Sequence, residues 1–442
     1  MRSPRSPVYW LLEKECRELV MSKAWWVLLI AMGPLAGMSF VSSARTYAGV
    51  SGLNGSAAGV GEALDPLSGV WAPTFSAGEL AAVFLLPFVA IGLVAGDRQS
   101  GALKLELQQG MGAASRISLK AAVLLAGWMV AMLPPLSAIL LWKTYGGSAY
   151  PPELATLTLG HILNAGLTIS LAASMASFTE HHSTAAILTL GFTVGTWILS
   201  FFGSIQGGWW ERASGYTPAA MVAQFQRGLV RLDVVFIALI LILTGLGFAA
   251  VWMRLGVAVP TRVYESTALG VFAAAAIFAS TFLTPSWDTS ESRTNSFSPA
   301  DEHALAAIRE PLSIEVHLAQ EDPRRIDLEN RALSKLRRVL PHLQVRYVAA
   351  TSIGLFEQSN PGYGEIWYDA GGRKTMSRAT TAEAVLEAIY SVAQVKPPVE
   401  SDDDLFRGHP LAVAPKGAGT LFYIVWPAIF LCSGLFLRRR LI

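Results

Sequence analysis

Few side chains in this sequence stand at spacings that support covalent chemistry. No G-x-x-x-x-G-K-[ST] phosphate loop occurs, and the order in VAPKGAGT is wrong for one. H-E-x-x-H, C-x-x-C and G-x-S-x-G are absent too. The histidines, at 161, 181, 182, 303, 317, 342 and 409, have no metal-ligand spacing beyond the adjacent His181 and His182, which read as a solvated loop. Cys16 and Cys432 build neither a disulfide framework nor a Cys metal site. The expectation is therefore no catalytic residue, no metal and no cofactor bound by this chain. The informative residues are polar ones in apolar surroundings. Residues 96–120, GDRQSGALKLELQQGMGAASRISLK, form a Gly-punctuated charged segment between two hydrophobic stretches. His161 and Asn164 stand one turn apart inside a third, where polar side chains are costly. They are candidates to line a polar pathway, or to hydrogen-bond between helices.

The surrounding elements are hydrophobic. Of 442 residues 52% are hydrophobic and 15% charged, against roughly 25% charged in soluble domains. A membrane span needs about 20 apolar residues. Eight stretches meet that need: 25–44, 79–95, 121–142, 154–176, 185–202, 234–253, 267–283 and 421–437. The expected fold class is an α-helical polytopic membrane protein of about eight transmembrane helices, with a small α/β domain inserted before the last. The first apolar stretch is too long for a cleavable signal and lacks an A-x-A site.

Lys and Arg set the expected orientation. With residue 1 in the cytoplasm, the inside segments 1–24, 96–120, 177–184, 254–266 and 438–442 hold 14 Lys and Arg, whereas the short outside loops hold only Arg45, Lys143, Arg212, Arg227 and Arg231. Both termini are expected inside, and residues 286–416 outside. The net charge of +2 gives no reason to expect a nucleic-acid partner.

Residues 1–24 read as an interfacial amphipathic helix, with Leu12, Cys16, Leu19 and Val20 on its apolar side and Glu13, Lys14, Arg17 and Glu18 opposite. Trp25 and Trp26 follow where an aromatic belt is expected. Residues 45–76 read as an outside loop. Within 204–233 a short helix is expected from Pro218, with Met221, Val222, Phe225 and Leu229 on its apolar face. In 286–416 the pattern gives strands at 313–319, 342–350 and 364–370 and helices at 322–340, capped by Asp322, and 380–395, followed by a linker at 396–418. Pro87, Pro134 and Pro135 predict kinks inside spans.

Three regions resemble permeases of the ABC-2 type. LEKECRELVMSKAWWVLL is similar to that family's K-E-[LF]-R-E opening, with Lys14, Glu15, Arg17, Glu18, Ser22, Lys23 and Trp25 in matching places. AGDRQSGALKLELQQGMGAASRISLK resembles its cytoplasmic coupling segment through Asp97, Arg98, Gly101, Leu103, Ser115, Arg116 and Lys120, and departs from it at Gln99, Ala102 and Glu106. YTPAAMVAQFQRGLVRLDVVFIAL is similar to the approach to the family's last core span through Pro218, Phe225, Gly228 and Asp233. SRTNSFSPADEHALAAIREPLSIEVHLA resembles the auxiliary domain of gliding-motility-type ABC systems.

The resemblance implies an organisation: interfacial helix 1–24, six-span permease core 25–255, seventh span 256–285, auxiliary domain and linker 286–416, and eighth span with basic tail 417–442. It implies a permease subunit of an exporter in a bacterial inner membrane, which pairs with a second copy or a sister permease. ATP and Mg would be bound by a separate ATPase subunit on the cytoplasmic side. Lys14, Glu15, Arg17, Glu18, Asp97, Arg98, Gly101, Leu103, Arg116 and Lys120 would couple to that ATPase. A short helix near residues 103–109 would make the docking contact, although Leu103, Leu105 and Leu107 alternate with Lys104, Glu106 and Gln108 in a way that also fits a strand. The auxiliary domain would meet an extracytoplasmic protein or substrate. The alternative is a mechanotransducer that moves this domain to control an envelope protein and transports nothing.

Overall fold

The computed structural model describes residues 7–54, 65–100, 111–206, 208–319, 322–340, 342–348, 362–398, 408–409, 411 and 415–441. They form two compact units: 1–199 with 215–287 and 408–442, and 200–214 with 288–407.

The described residues supply eight helical runs long and apolar enough to cross a membrane. They are span 1 (Lys23–Ser51), span 2 (Leu67–Asp97), span 3 (Ala113–Thr144), span 4 (Pro151–Phe178), span 5 (His182–Gly203), span 6 (Leu232–Trp252), span 7 (Val259–Ser280) and span 8 (Ala418–Arg440). The protein is thus a largely helical chain with the composition of a membrane protein. The expected loop 45–76 is replaced at both ends by helix, which runs to Asn54 and resumes at Leu67. Leu67, Val70, Trp71 and Phe75 recur at helical spacing and are all buried. Asp65 starts this run: its Oδ1 accepts the amide of Leu67 at 2.9 Å. The anticipated kinks are present. Span 2 breaks at Leu85, just before Pro87, and span 3 at Met132, before Pro134 and Pro135.

Aromatic rings hold together one end of the bundle. Trp71 of span 2 stacks on Phe40 of span 1 and meets Trp142 of span 3 edge-on, with centroids 6.5 and 5.6 Å apart. Tyr47 also meets Trp142 edge-on and donates its hydroxyl to the carbonyl of His409 at 2.8 Å. The far ends of spans 4 and 6 approach through small residues, as Ser174 Oγ donates to the Gly245 carbonyl at 2.8 Å. Span 8 lies on span 1: a Cβ at Gly37 would stand 2.2 Å from that of Phe422, so only glycine permits this approach. Spans 5 and 7 are the least covered, with 11% of each window buried, and their exposed residues are apolar, among them Ile187, Phe192, Phe272 and Phe278. Trp25 and Trp26 do not form a belt. Both are buried, and Trp26 Nε1 donates to the carbonyl of Val20 at 2.6 Å.

The second unit contains an α/β layer pair. Two short strands, β1 (Leu229–Arg231) and β2 (Ser286–Asp288), precede it in the chain. Its sheet is built from β3 (Leu312–Val316), β4 (Gln344–Tyr347), β5 (Ile366–Ala370) and β6 (Arg373–Ser377), in the order β4-β3-β5-β6. β3 and β4 run parallel, joined through helical residues 323–339; the other pairs are antiparallel. Leu312, Ile314, Val316, Ile366, Tyr368 and Ala370 face the helices and are buried. The opposite face carries Ser313, Glu315, Trp367 and Asp369. β6 is absent from the sequence reading because RKTMS has no apolar alternation. Its signal is Gly371–Gly372, whose φ values of 59 and 84 make a two-residue hairpin turn that other residues rarely adopt.

Asp322 caps its helix as expected, accepting the amide of Arg324 at 2.9 Å. The Arg324 guanidinium beside it pushes its carboxyl down to about 2. A folded-state value below the ordinary one stabilises the fold above the ordinary carboxylate range, and that support is lost as pH falls towards the lowered value. Asp322→Ala is expected to ease opening of helix Pro323–Leu328 by about 1 kcal/mol at pH 7. Amide hydrogen exchange should show the gap between variant and wild type narrowing as pH drops from about 4 towards 2.

Candidate functional site

Three elements converge where the N-terminal helix (Pro7–Met21) meets the end of span 2 and the start of span 3. The helix buries Leu11, Glu15 and Leu19, while Leu12 and Cys16 are exposed. Its buried stripe therefore lies one position from the apolar side expected from the sequence, and includes a carboxylate. Leu19 fits the notch above Gly127 of span 3, where a Cβ would stand 2.8 Å from Leu19 Cδ2.

Glu15 is buried because Lys120 meets it. Lys120 Nζ lies 2.7 Å from both Glu15 carboxylate oxygens, 2.5 Å from Asp97 Oδ2 and 3.1 Å from the Leu93 carbonyl. Lys14 closes the cluster from its outer side, at 2.6 Å from Asp97 Oδ1, 3.2 Å from Glu15 Oε1 and 3.1 Å from Glu18 Oε1. Glu15, Asp97 and Lys120 are at most 2% exposed. Two ammonium groups and two carboxylates balance, and Glu18, more exposed, adds a further negative charge at the rim. Burial pushes the Glu15 carboxyl above its ordinary range, with Lys120 opposing that shift.

The carboxylates of Glu15, Glu18 and Asp97 lie within 4.8 Å of one another, a spacing that suits a metal ion. The lysine ammonium groups already stand among these oxygens, so the arrangement is satisfied by the chain's own cations. It contains no nucleophile and no general base aimed at a cavity. Its chemistry is mechanical: each ammonium bridges carboxylates from two different elements, so the N-terminal helix and spans 2 and 3 are held at one point.

The other sequence-predicted residues are distributed around this point. Arg17 is exposed and pairs with Glu13 at 3.8 Å on the same helix. Arg116 is buried one turn before Lys120. Arg98 lies in the last turn of helix Leu86–Ser100. Gly101 and Leu103 lie outside the described residues, as does the expected helix near 103–109. His161 and Asn164 are buried in span 4, away from the charge cluster in sequence and among packed helices. The His161 ring lies against Phe75, with centroids 5.6 Å apart. Neither ring nitrogen has a hydrogen-bond partner among the described residues. Asp233 accepts both Arg231, at 3.1 and 2.6 Å, and the Tyr216 hydroxyl at 3.1 Å, which fixes the turn into span 6. Thr217 caps the helix Pro218–Gln226, whose Met221, Val222 and Phe225 are buried as expected; Leu229, expected on the same face, lies past the helix end in β1.

One polar residue escaped the sequence reading. Glu79 opens the apolar stretch 79–95, yet it lies well inside span 2. The signal was available in Leu67, Val70, Trp71 and Phe75, which continue the helical pattern upstream of it.

Comparison of the chain with protein-family models, with curated proteins and with solved structures finds no match.

Removing one partner from a buried charge group leaves the other uncompensated, at about 3–5 kcal/mol. Lys120→Met is expected to destabilise the solubilised protein by that amount, read as a fall in its unfolding midpoint. Lys120→Met with Glu15→Gln removes one charge of each sign, and should be less destabilising than the sum of the two single changes. Additive effects would show that the groups do not form one network.

Proposed function

We propose that this chain is the membrane-spanning permease subunit of an ATP-driven ABC transporter, acting in export across a bacterial inner membrane. ATP and Mg bind to a separate ATPase subunit beneath it. The observation that carries this reading is the buried cluster of Lys14, Glu15, Asp97 and Lys120. Asp97 and Lys120 stand on either side of the segment that resembles a coupling loop, and Glu15 ties both to the N-terminal helix that carries the second resemblance.

The cluster makes such coupling physically reasonable. A push on residues 98–112 reaches span 2 at Asp97 and span 3 by way of Lys120. The same salt bridges transmit it to the N-terminal helix, so three elements respond together. Four of the residues expected to touch the ATPase thus serve behind the contact surface, as the linkage that carries its motion. In this reading both chain termini and residues 98–112 face the cytoplasm, in keeping with the Lys and Arg bias. The 288–407 unit faces outward, where it meets cargo or an envelope protein. The apolar faces of spans 5 and 7 meet lipid or a second permease copy.

The test is isolation of the full-length chain from its native cell after mild cross-linking. A nucleotide-binding ATPase is expected to co-purify. Arg98→Glu with Gly101→Pro should abolish that association and leave membrane insertion intact. Unchanged recovery of the ATPase would remove the coupling segment from its assigned role, and the absence of any ATPase from the wild-type preparation would overturn the permease reading itself.

A further inference from the structure

Glu79 lies twelve residues from one end of span 2 and eighteen from the other, in the run Leu67–Asp97. At 1.5 Å per residue it is about 18 Å from the nearer end. The whole run is longer than a hydrocarbon core of about 30 Å, and this carboxyl lies inside its apolar length and not at either end. Its polar neighbour is Gln226, whose side chain hydrogen-bonds it and also donates Nε2 to Ser76 Oγ at 3.1 Å. Among the described residues, no Lys, Arg or His acts on it. That sets it apart from Glu15 and Asp97, each of which has a lysine within 2.7 Å.

Glu79 borders a cavity of about 320 Å³ between spans 1, 2 and 5. Its wall includes Met38 and Ser39 of span 1, Ser76 and Leu80 of span 2 and Trp197 of span 5. Met38 and Leu80 are 64% and 48% exposed, so the cavity opens sideways through apolar side chains. The Trp197 indole, set edge-on to Phe84 at 5.9 Å, presents an aromatic surface to the same space.

We infer that this cavity binds a lipophilic monocation, an amine or quaternary ammonium carrying an apolar body. Three features select that chemistry. An intramembrane carboxylate with no cationic neighbour is complementary to a single positive charge. A tryptophan beside it favours an organic ammonium over its neutral counterpart through cation–π attraction. The apolar lateral mouth admits a body that partitions into lipid. A hard metal ion would call for about six oxygen ligands, whereas this wall is largely apolar. The volume lies at the small end of ordinary ligand pockets. That the bound cation is the transported cargo rests on the permease reading; that it binds does not.

The test uses the purified full-length chain in nanodiscs of zwitterionic phospholipid, with no ATPase present. Benzyltrimethylammonium is the probe and neopentylbenzene, its uncharged carbon isostere, the control; equilibrium dialysis reads binding. Saturable binding of the cation alone is expected, weakened at least tenfold by Glu79→Gln and several-fold by Trp197→Leu. Glu79→Asp should retain part of the affinity, which separates charge from fold. Equal affinity of Glu79→Gln, equal binding of neopentylbenzene, or no saturable binding to wild type would each overturn the inference. Displacement by sodium chloride but not by potassium chloride would also overturn it, by marking an inorganic ion site. Loss of binding with ATPase association preserved would leave the permease reading standing, and the converse result would leave the cation site standing.

Discussion

The membrane unit depends on one ammonium group. Lys120 is 2% exposed and sits between two carboxylates supplied by different elements. Isolated in a low-dielectric interior, any of the three charges would be unfavourable by several kcal/mol. Together they satisfy one another, and Lys14 contributes the second positive charge at the more open side. The geometry is all or nothing. Loss of Glu15 would leave Lys120 with only part of its compensation, and the N-terminal helix held by Lys14 and Leu19. The packing nearby follows from this fixed point: Leu19 enters the notch at Gly127, and Trp25 and Trp26 turn inward instead of lying in a belt.

A different force holds the opposite end. Spans alternate in direction, so the end of span 1, the start of span 2 and the end of span 3 lie together, far from the charges. There Tyr47, Trp71 and Trp142 interlock through edge-on ring contacts, each worth about 0.5–1.5 kcal/mol beyond buried area. Hydrogen bonds from Tyr47 to the His409 carbonyl and from the Leu411 amide to Ser51 Oγ add the segment that leads into span 8. Span 8 therefore belongs to the bundle by packing, through Gly37 and Phe422, even though it lies some 380 positions later in the chain.

Apolar run length made the eight spans legible, and turn chemistry exposed the helix start at Pro218 and the cap at Asp322. Both signals are local. The errors arise where a distant partner reverses a local rule. Glu15 looks like part of a solvated face because its sequence neighbours are charged, and only Lys120, 105 positions away, lets it be buried. Glu79 looks like a span boundary because a carboxylate is unfavourable in hydrocarbon, yet Leu67, Val70, Trp71 and Phe75 carry the helix past it. Asp65, Pro66, Ser68 and Gly69 resemble a turn, and instead they open a helix. β6 lacks alternation altogether and pairs because the Gly371–Gly372 turn delivers it to β5.

Span 2 brings these contrasts into one element. Its Asp97 end is fixed by two lysines, while Glu79, on the same span, has Gln226 and an open cavity. Between them the helix is interrupted at Leu85, and Pro87 cannot donate to the carbonyl four residues earlier. Span 2 is thus two shorter helices in series, and the join is its most compliant point. A displacement applied at residues 98–112 moves the Asp97 half with span 3 and the N-terminal helix as one body. Along span 2 it reaches the Glu79 half across the join. The two carboxylates are chemically alike and differ in what faces them: lysine makes one a fixed anchor, and the want of a cation leaves the other available to a ligand. A span built this way can keep a rigid base while the shape of the lateral cavity beside Glu79 changes.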